Sequence, residues 1–134
     1  MAKIADIEGI GPAYAEKLAQ AGVKTVEGLL KAGATPKGRK DIAEASGLKE
    51  GLILDWTNMA DLFRIKGVSS QYAELLKAAG VDTIKEMRNR NPENLHAKMA
   101  EVNAEKKLVR QLPSAAQVVA MVEQAKSLEP VITY

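Results

Sequence analysis

Apolar residues recur along this chain at intervals of three and four, which is the spacing of one face of an α-helix. Glycine, proline and single threonine or serine residues interrupt the pattern where helices begin and end, and Thr83 with Glu86 fits a capping box. No segment alternates between apolar and polar residues over the length of a strand. The pattern predicts helices at residues 12–21, 25–32, 35–46, 49–63, 70–79, 83–90, 92–102, 105–111 and 114–128, and it leaves the conformation of residues 129–134 undetermined.

The order of these elements occurs twice. Residues 7–29 (IEGIGPAYAEKLAQAGVKTVEGL) and 65–87 (IKGVSSQYAELLKAAGVDTIKEM) are identical at ten of 23 positions, including two glycines, a tyrosine and a threonine. A match of this kind in register indicates an internal duplication. The sequence therefore predicts two domains: a first unit at residues 1–64, which includes a linking helix, and a second unit at residues 65–134.

The start of the first unit carries a tight turn between two helices. Residues 7–11, with Ala15 and Leu18 after them, fit the helix-hairpin-helix pattern of apolar residues, glycines and a following alanine. Glycine permits a positive φ, and the backbone N–H groups at the start of the next helix are available to bind a phosphate. Contacts of this kind reach the DNA backbone and carry little sequence information.

The second copy of the turn differs in shape and in charge. It keeps Gly67, but Ser69 stands at the position of the second glycine and Ser70 at that of the proline. Lys66 makes this copy more basic, whereas three acidic residues surround the first turn and argue against DNA there: Asp6, Glu8 and Glu16. We therefore expect the first turn to have the better shape for a phosphate and the second the better charge.

A tyrosine occupies the same position in each unit, Tyr14 in the first and Tyr72 in the second. Two interpretations are open for both rings. Each packs over its turn with the hydroxyl at the rim, or each stacks on a base or ribose. Trp56, on the linking helix, is expected to pack in the core.

Two segments of the chain resemble a known family. Residues 61–87 (DLFRIKGVSSQYAELLKAAGVDTIKEM) and 91–103 (NPENLHAKMAEVN) closely resemble a bacterial domain-of-unknown-function family built from tandem helix-hairpin-helix units. The resemblance implies an all-α fold of two tandem helix-hairpin-helix (SAM-like) units packed into one compact helical protein. It also implies similarity in fold to small helical modules of strand-exchange recombinases (N-terminal) and of the RNA polymerase alpha subunit (C-terminal). Those modules bind DNA backbone or proteins.

Composition narrows the chemistry that the chain can perform. There is no cysteine and one histidine, His96, which excludes disulfides, thiolate metal sites and a cysteine nucleophile. Since no catalytic motif is present either, no enzyme activity, cofactor or metal is expected. The N-terminus lacks the apolar run of a signal peptide and no stretch approaches about eighteen apolar residues, so we expect a cytoplasmic location and no membrane partner.

The formal net charge is only +2, so attraction to nucleic acid has to come from local basic patches. The leading hypothesis is a non-catalytic module that binds the backbone of duplex DNA without sequence preference. The residues expected to contact DNA are the two turns and a set of basic side chains: Gly9, Ile10, Gly11, Pro12, Ala13, Gly67, Val68, Ser69, Ser70, Lys17, Lys66, Lys37, Arg39, Lys40, Arg88 and Arg90.

The alternative is a protein-protein interaction or scaffold module with no nucleic-acid role. It is favoured by the balanced charge of residues 1–64, which hold nine basic and nine acidic side chains. The sequence determines neither the physiological partner nor the oligomeric state.

Overall fold

The computed structural model describes residues 3–7 and 9–134. Over these residues a short 3-10 helix, Ile4–Asp6, precedes eight α-helices: α1 (Pro12–Gln20), α2 (Val26–Ala32), α3 (Pro36–Ser46), α4 (Glu50–Leu62), α5 (Ser70–Ala78), α6 (Ile84–Arg88), α7 (Pro92–Lys106) and α8 (Ala115–Ser127). Among the described residues, the β-type pairing consists of an isolated antiparallel bridge between Lys3 and Thr25. The predicted all-helical class is confirmed. None of the described helices is long and apolar enough to cross a bilayer.

Two units divide the chain, and each has its own core. The first consists of Met1–Asp61 together with Val131–Tyr134, and the second consists of Leu62–Pro130. In the first unit α1 packs on α3, and in the second α8 packs on α6 and α7 while α5 packs on α7. Both cores consist of fully buried aliphatic and methionine side chains, including Leu18, Leu29, Ile53, Leu76, Met99 and Val118.

The helices begin where short-range signals in the sequence place them. The hydroxyls of Thr25 and Thr35 accept the N–H groups of Gly28 and Gly38 at 2.9 and 3.0 Å, which caps α2 and α3. Proline occupies the first position of α1, α3 and α7, where its missing N–H leaves no hydrogen bond unmade. Because these signals act within a few residues, the eight observed α-helices begin within one residue of their predicted starts.

One predicted helix is wrong. Residues 105–111 form no helix of their own, because α7 continues to Lys106 and a loop follows it. The side-chain amide of Asn103 donates to the carbonyl of Val109 at 3.1 Å, and its oxygen accepts the Val109 N–H at 2.9 Å. These bonds occupy both backbone groups of Val109, which a helix would use for itself. The apolar spacing of the segment did not reveal this local competition.

The last four residues lie against the first unit without forming a helix. The N–H of Thr133 donates to the carbonyl of Ala34 at 2.7 Å, and the hydroxyl of Tyr134 donates to Oδ1 of Asn58 at 2.9 Å. Ile132, which precedes both, is buried. The segment whose conformation the sequence left undetermined is therefore held in place by contacts with residues far away in the chain.

Candidate nucleic-acid interface

The first turn, residues 9–13, which we call turn 1, leads into α1. Gly9 has a φ of +93°, a conformation that glycine adopts without strain. The N–H of Ile10 donates to the carbonyl of Ile7 at 3.1 Å and closes the turn. Gly11 then has an extended backbone, with φ −83° and ψ −179°, and Pro12 opens α1. The turn brings the N-terminus of α1 to the surface, with Gly11, Pro12 and Ala13 exposed.

The second turn, residues 67–71, which we call turn 2, has the same backbone conformation. Gly67 has a φ of +91°, and the N–H of Val68 donates to the carbonyl of Ile65 at 3.2 Å. Ser69 is extended, with φ −92° and ψ 177°, and α5 begins at Ser70. At turn 2, Gly67, Ser69 and Gln71 are exposed, whereas Val68 and Ser70 are half-buried.

The likeness of the two segments continues beyond the turns. Gly22 and Gly80, just after α1 and α5, have φ values of +85° and +98°. Thr25 and Thr83, which cap the next helices, have φ/ψ values of −131°/161° and −137°/160°. The repeat seen in the sequence is therefore also a repeat of backbone conformation.

The two turns differ in how the following helix is capped. Among the described residues, no side chain caps α1 at Gly11. At turn 2 the hydroxyl of Ser69 accepts the N–H of Tyr72 at 3.3 Å. One backbone donor of α5 is therefore already satisfied within the protein, whereas the matching donor of α1 has no such acceptor. Pro12 has no N–H whereas Ser70 has one, so the first three positions of α1 and of α5 offer an anion the same number of free N–H groups, at different positions.

Turn 2 is attached to α8 through its backbone. The N–H of Lys66 donates to Oε1 of Gln124 at 3.0 Å, and Nε2 of Gln124 donates to the Lys66 carbonyl at 3.4 Å. Lys66 itself is exposed. The position that precedes turn 2 therefore has a fixed backbone and an exposed ammonium-bearing side chain.

Several of the predicted basic residues are exposed as expected. Lys17 lies on α1, one turn beyond turn 1, and Lys37 and Lys40 lie on α3. Lys37 pairs with Asp41 on the next turn of α3 at 3.2 Å, and both side chains remain largely exposed. Such a pair is weak and can be exchanged for a phosphate contact.

Arg39 does not belong to this exposed set. It is only 6% exposed, and its guanidinium donates to the carbonyls of Gly33 and Thr133 at 2.8 Å each. It also lies over the ring of Tyr134, 5.8 Å from the ring centroid. Arg39 is thus used to hold the C-terminal segment on the first unit, and the prediction that it contacts DNA is corrected.

Arg88 and Arg90 are half-buried, and Arg90 lies away from turn 2. Its Nη2 is 3.5 Å from the carbonyl of Ala79, which ends α5. Turn 2 lies at the other end of this nine-residue helix, about 13 Å away along its axis. The structure therefore does not bring the Arg90 guanidinium together with turn 2.

The two tyrosines have different surroundings. Tyr72 is half-buried and its hydroxyl donates to the carbonyl of Gln111 at 3.0 Å. Tyr14 is 39% exposed, and its ring packs on Trp56 with centroids 5.2 Å apart and planes inclined at 59°. Trp56 is buried as expected, at 4% exposure. The Tyr14 ring thus contacts the core through Trp56, while part of the residue stays exposed.

A surface cleft of about 610 Å³ opens beside Tyr14. Its lining comes from α1, from the loop between α3 and α4, and from the start of α4: Tyr14, Lys17, Gly47, Leu48, Lys49, Gly51, Leu52 and Asp55. Sequence reasoning named Tyr14 and Lys17 but missed the residues after Gly47. Gly47 could have indicated these residues, because a glycine that ends a helix predicts a short loop, and Lys49 then lies at the start of α4.

The acidic residues near turn 1 are placed unequally. Asp6 accepts the N–H of Lys3 through its carboxylate at 3.0 Å, Glu16 is exposed on α1, and Glu8 lies outside the described residues.

His96 has Nε2 3.0 Å from the carbonyl of Pro113. Within the described residues, no group of three His, Asp or Glu side chains is placed to hold a metal ion.

Comparison with known proteins identifies the family. No curated protein and no solved structure matches the chain. A family model described as a domain of unknown function (DUF4332) matches residues 8–128. Because this match covers most of the 134 residues, the chain belongs to the DUF4332 family.

Proposed function

We propose that this protein binds the sugar–phosphate backbone of duplex DNA without sequence preference, with turn 1 and turn 2 acting as helix-hairpin-helix turns. The observation that carries the proposal is one turn conformation found twice, each time before a nine-residue helix. The N–H groups of a first helical turn and the positive end of the helix dipole attract an anion. A phosphodiester supplies that anion at every step of a duplex.

The two turns contribute differently in this proposal. Turn 1 offers the uncapped end of α1, and Lys17 follows one turn later on the same helix. Turn 2 offers the exposed side chain of Lys66, while Ser69 takes up one donor of α5. We assign hydrogen bonding by backbone N–H groups to both turns and the stronger Coulomb attraction to turn 2.

A carboxylate placed at each of the two N-cap positions, Gly11 and Ser69, tests this function without disturbing the fold. Gly11 has an ordinary φ, and an added Cβ there meets no described heavy atom within 4 Å. Asp is a good capping residue, so Gly11→Asp adds a cap to α1 and Ser69→Asp keeps the cap of α5, while both place carboxylates where phosphates would bind. The double variant should lose at least about tenfold in affinity for a blunt duplex, measured by fluorescence anisotropy at low salt.

The matched control is Ser114→Asp. Ser114 caps α8 by accepting the N–H of Gln117 at 3.1 Å, and no glycine turn precedes it. This variant adds one carboxylate at the same helical position, which matches each of the single variants Gly11→Asp and Ser69→Asp, and its affinity should stay within about twofold of the wild type. Equal losses in the control and the double variant would refute a specific role for the turns. The absence of duplex binding by the wild type at low salt would refute the function itself.

Raising the salt gives a second measure. Lys17 and Lys66 would each neutralise one phosphate, and these two charged contacts predict a loss of about tenfold in affinity for a fourfold increase in salt. A nearly flat dependence would contradict binding through phosphates.

A protein-binding function is the second candidate, and the observation that favours it is the outer face of α8. Val119 is 43% exposed there, and Ala115, Ala116 and Ala120 on the same helix are exposed as well. A sedimentation measurement that finds a nuclease-resistant assembly, lost on Val119→Glu, would favour this candidate over DNA binding.

A further inference from the structure

We infer that the cleft beside turn 1 accepts an unpaired nucleotide, so that the first unit binds a DNA end with a single-stranded tail more tightly than a blunt end. The inference rests on the proposed function, because turn 1 would bind the phosphate of the same strand. It is carried by four features: the size of the cleft, the exposed ring of Tyr14, the two lysines at its rim, and the absence of the same ring exposure at Tyr72.

The size of the cleft suits a nucleotide. Its volume of about 610 Å³ lies within the range of about 300 to 1,000 Å³ that is common for small-molecule sites. It opens at the surface next to turn 1, since Tyr14 is only three residues after Gly11. That separation is about one helical turn. A strand whose phosphate contacts turn 1 therefore has a nucleoside within reach of the cleft.

Tyr14 supplies a surface on which a base can stack. Trp56 supports the ring from the core side at 5.2 Å between centroids, and 39% of the residue stays exposed. Stacking on an aromatic ring is indifferent to base identity because every base has a π-face. The leucine wall of the cleft, Leu52, extends the apolar contact.

Charge complementarity favours a nucleic acid as the occupant. Lys17 and Lys49 line the cleft together with Tyr14, and no described carboxylate forms an ion pair with either lysine. The two ammonium groups can contact the phosphates on either side of a stacked base. Asp55, at the same cleft, can accept a hydrogen bond from an N–H on the Watson–Crick edge of a base, such as N3–H of thymine, which base pairing would occupy.

The second unit lacks this arrangement although it carries the corresponding tyrosine. The hydroxyl of Tyr72 donates to the Gln111 carbonyl at 3.0 Å and the residue is half-buried. The preference for an unpaired nucleotide therefore belongs to the first unit.

The experiment compares two DNA probes, a blunt duplex and the same duplex with a thymidine tail of about ten nucleotides. The wild type should bind the tailed probe about tenfold more tightly in fluorescence anisotropy. Tyr14→Phe should keep that ratio, since the ring and its contact with Trp56 remain. Tyr14→Ala should reduce it to about one.

Gly51→Asp provides a variant with little risk of unfolding. Gly51 is exposed at the first turn of α4, and an added Cβ meets no described heavy atom within 4 Å. Asp is favourable at the start of a helix, while its charge would enter the cleft. This variant should also reduce the ratio to about one and keep blunt-duplex affinity within about twofold, whereas Gly11→Asp should weaken both probes. A ratio near one in the wild type, or a ratio unchanged in Gly51→Asp, would overturn the inference while leaving duplex binding intact.

Discussion

Among single residues, Gly9 and Gly11 have different structural roles in turn 1. Gly9 has a φ of +93°, where a side chain would be strained. Gly11 has a φ of −83°, which any residue adopts, and its surroundings are open. The replacement of the second glycine by Ser69 in turn 2 is therefore compatible with an unchanged turn. What the replacement alters is the capping of the next helix, because the Ser69 hydroxyl accepts the Tyr72 N–H.

A second feature at this scale is the carboxyl group of Glu86 at the start of α6. The hydroxyl of Thr83 accepts the Glu86 N–H at 3.1 Å, as the predicted capping box requires. The Glu86 carboxyl, however, interacts with Asp82. A hydrogen bond with Asp82 raises the pKa of Glu86, and loss of hydration and the negative charge of Asp82 act in the same direction, while Arg90 opposes them.

This shift predicts how stability depends on pH. Because the folded pKa is raised, the folded state holds the Glu86 proton more tightly than the unfolded chain does, and stability falls as pH rises through the folded pKa. Glu86→Gln should therefore stabilise the protein at neutral pH by about 0.2–0.5 kcal/mol. The gain should vanish at about pH 3, below the ordinary pKa of a glutamate.

Urea unfolding at the two pH values measures this difference. Glu93→Gln is the control, because Glu93 is also in a first helical turn, that of α7. Its loss should be neutral or slightly destabilising, since a carboxylate favours a helix N-terminus. A Glu86→Gln gain that is the same at both pH values would contradict the role assigned to Asp82.

At the scale of elements, α7 ends at a lysine rather than at a glycine. Lys107 ends the helix with φ 52° and ψ 47°, and it is the only non-glycine residue with positive φ in the described chain. Its N–H donates to the carbonyl of Asn103 at 2.8 Å. The helix ends here because the Asn103 side chain binds both backbone groups of Val109.

Lys107→Gly is expected to stabilise the protein by about 0.5–1 kcal/mol. Glycine removes the strain of the left-handed conformation, although it also gains entropy in the unfolded chain. Lys106→Gly, one residue earlier and still helical, should instead destabilise by a similar amount. Chemical denaturation of both variants makes the comparison, and a loss of stability in Lys107→Gly would mean that the left-handed residue carries no strain.

At the scale of the whole chain, the C-terminal segment belongs to the first unit although the second unit precedes it. Arg39 is central to this return, because its guanidinium binds the Thr133 carbonyl at 2.8 Å and lies over Tyr134. The segment therefore provides acceptors for a buried cation that would otherwise be incompletely hydrogen-bonded.

Removal of residues 131–134 should destabilise the first unit by about 2–3 kcal/mol, because a buried charge loses an acceptor. Trp56, the single tryptophan, lies in this unit and reports its unfolding by fluorescence. The truncation and Arg39→Ala should be less than additive when combined, since both remove the same contact. Lys37→Ala, an exposed residue on α3, should change stability by no more than about 0.5 kcal/mol. Full additivity of the first two changes would show that the segment acts independently of Arg39.

The amino-acid sequence by itself determined where the eight observed α-helices begin and that the turn is duplicated, although it also predicted a helix at residues 105–111 that does not form. Caps, first-position prolines and positive-φ glycines such as Gly9 and Gly67 act within a few residues, so their effects can be predicted locally. Only the tertiary structure decided which of the chemically similar side chains face solvent. Arg39 and Lys40 are neighbours in one basic run, yet the first is buried by a segment more than ninety residues away and the second is exposed. Burial and cleft formation depend on contacts between distant residues, and no local pattern records which partner each side chain will meet.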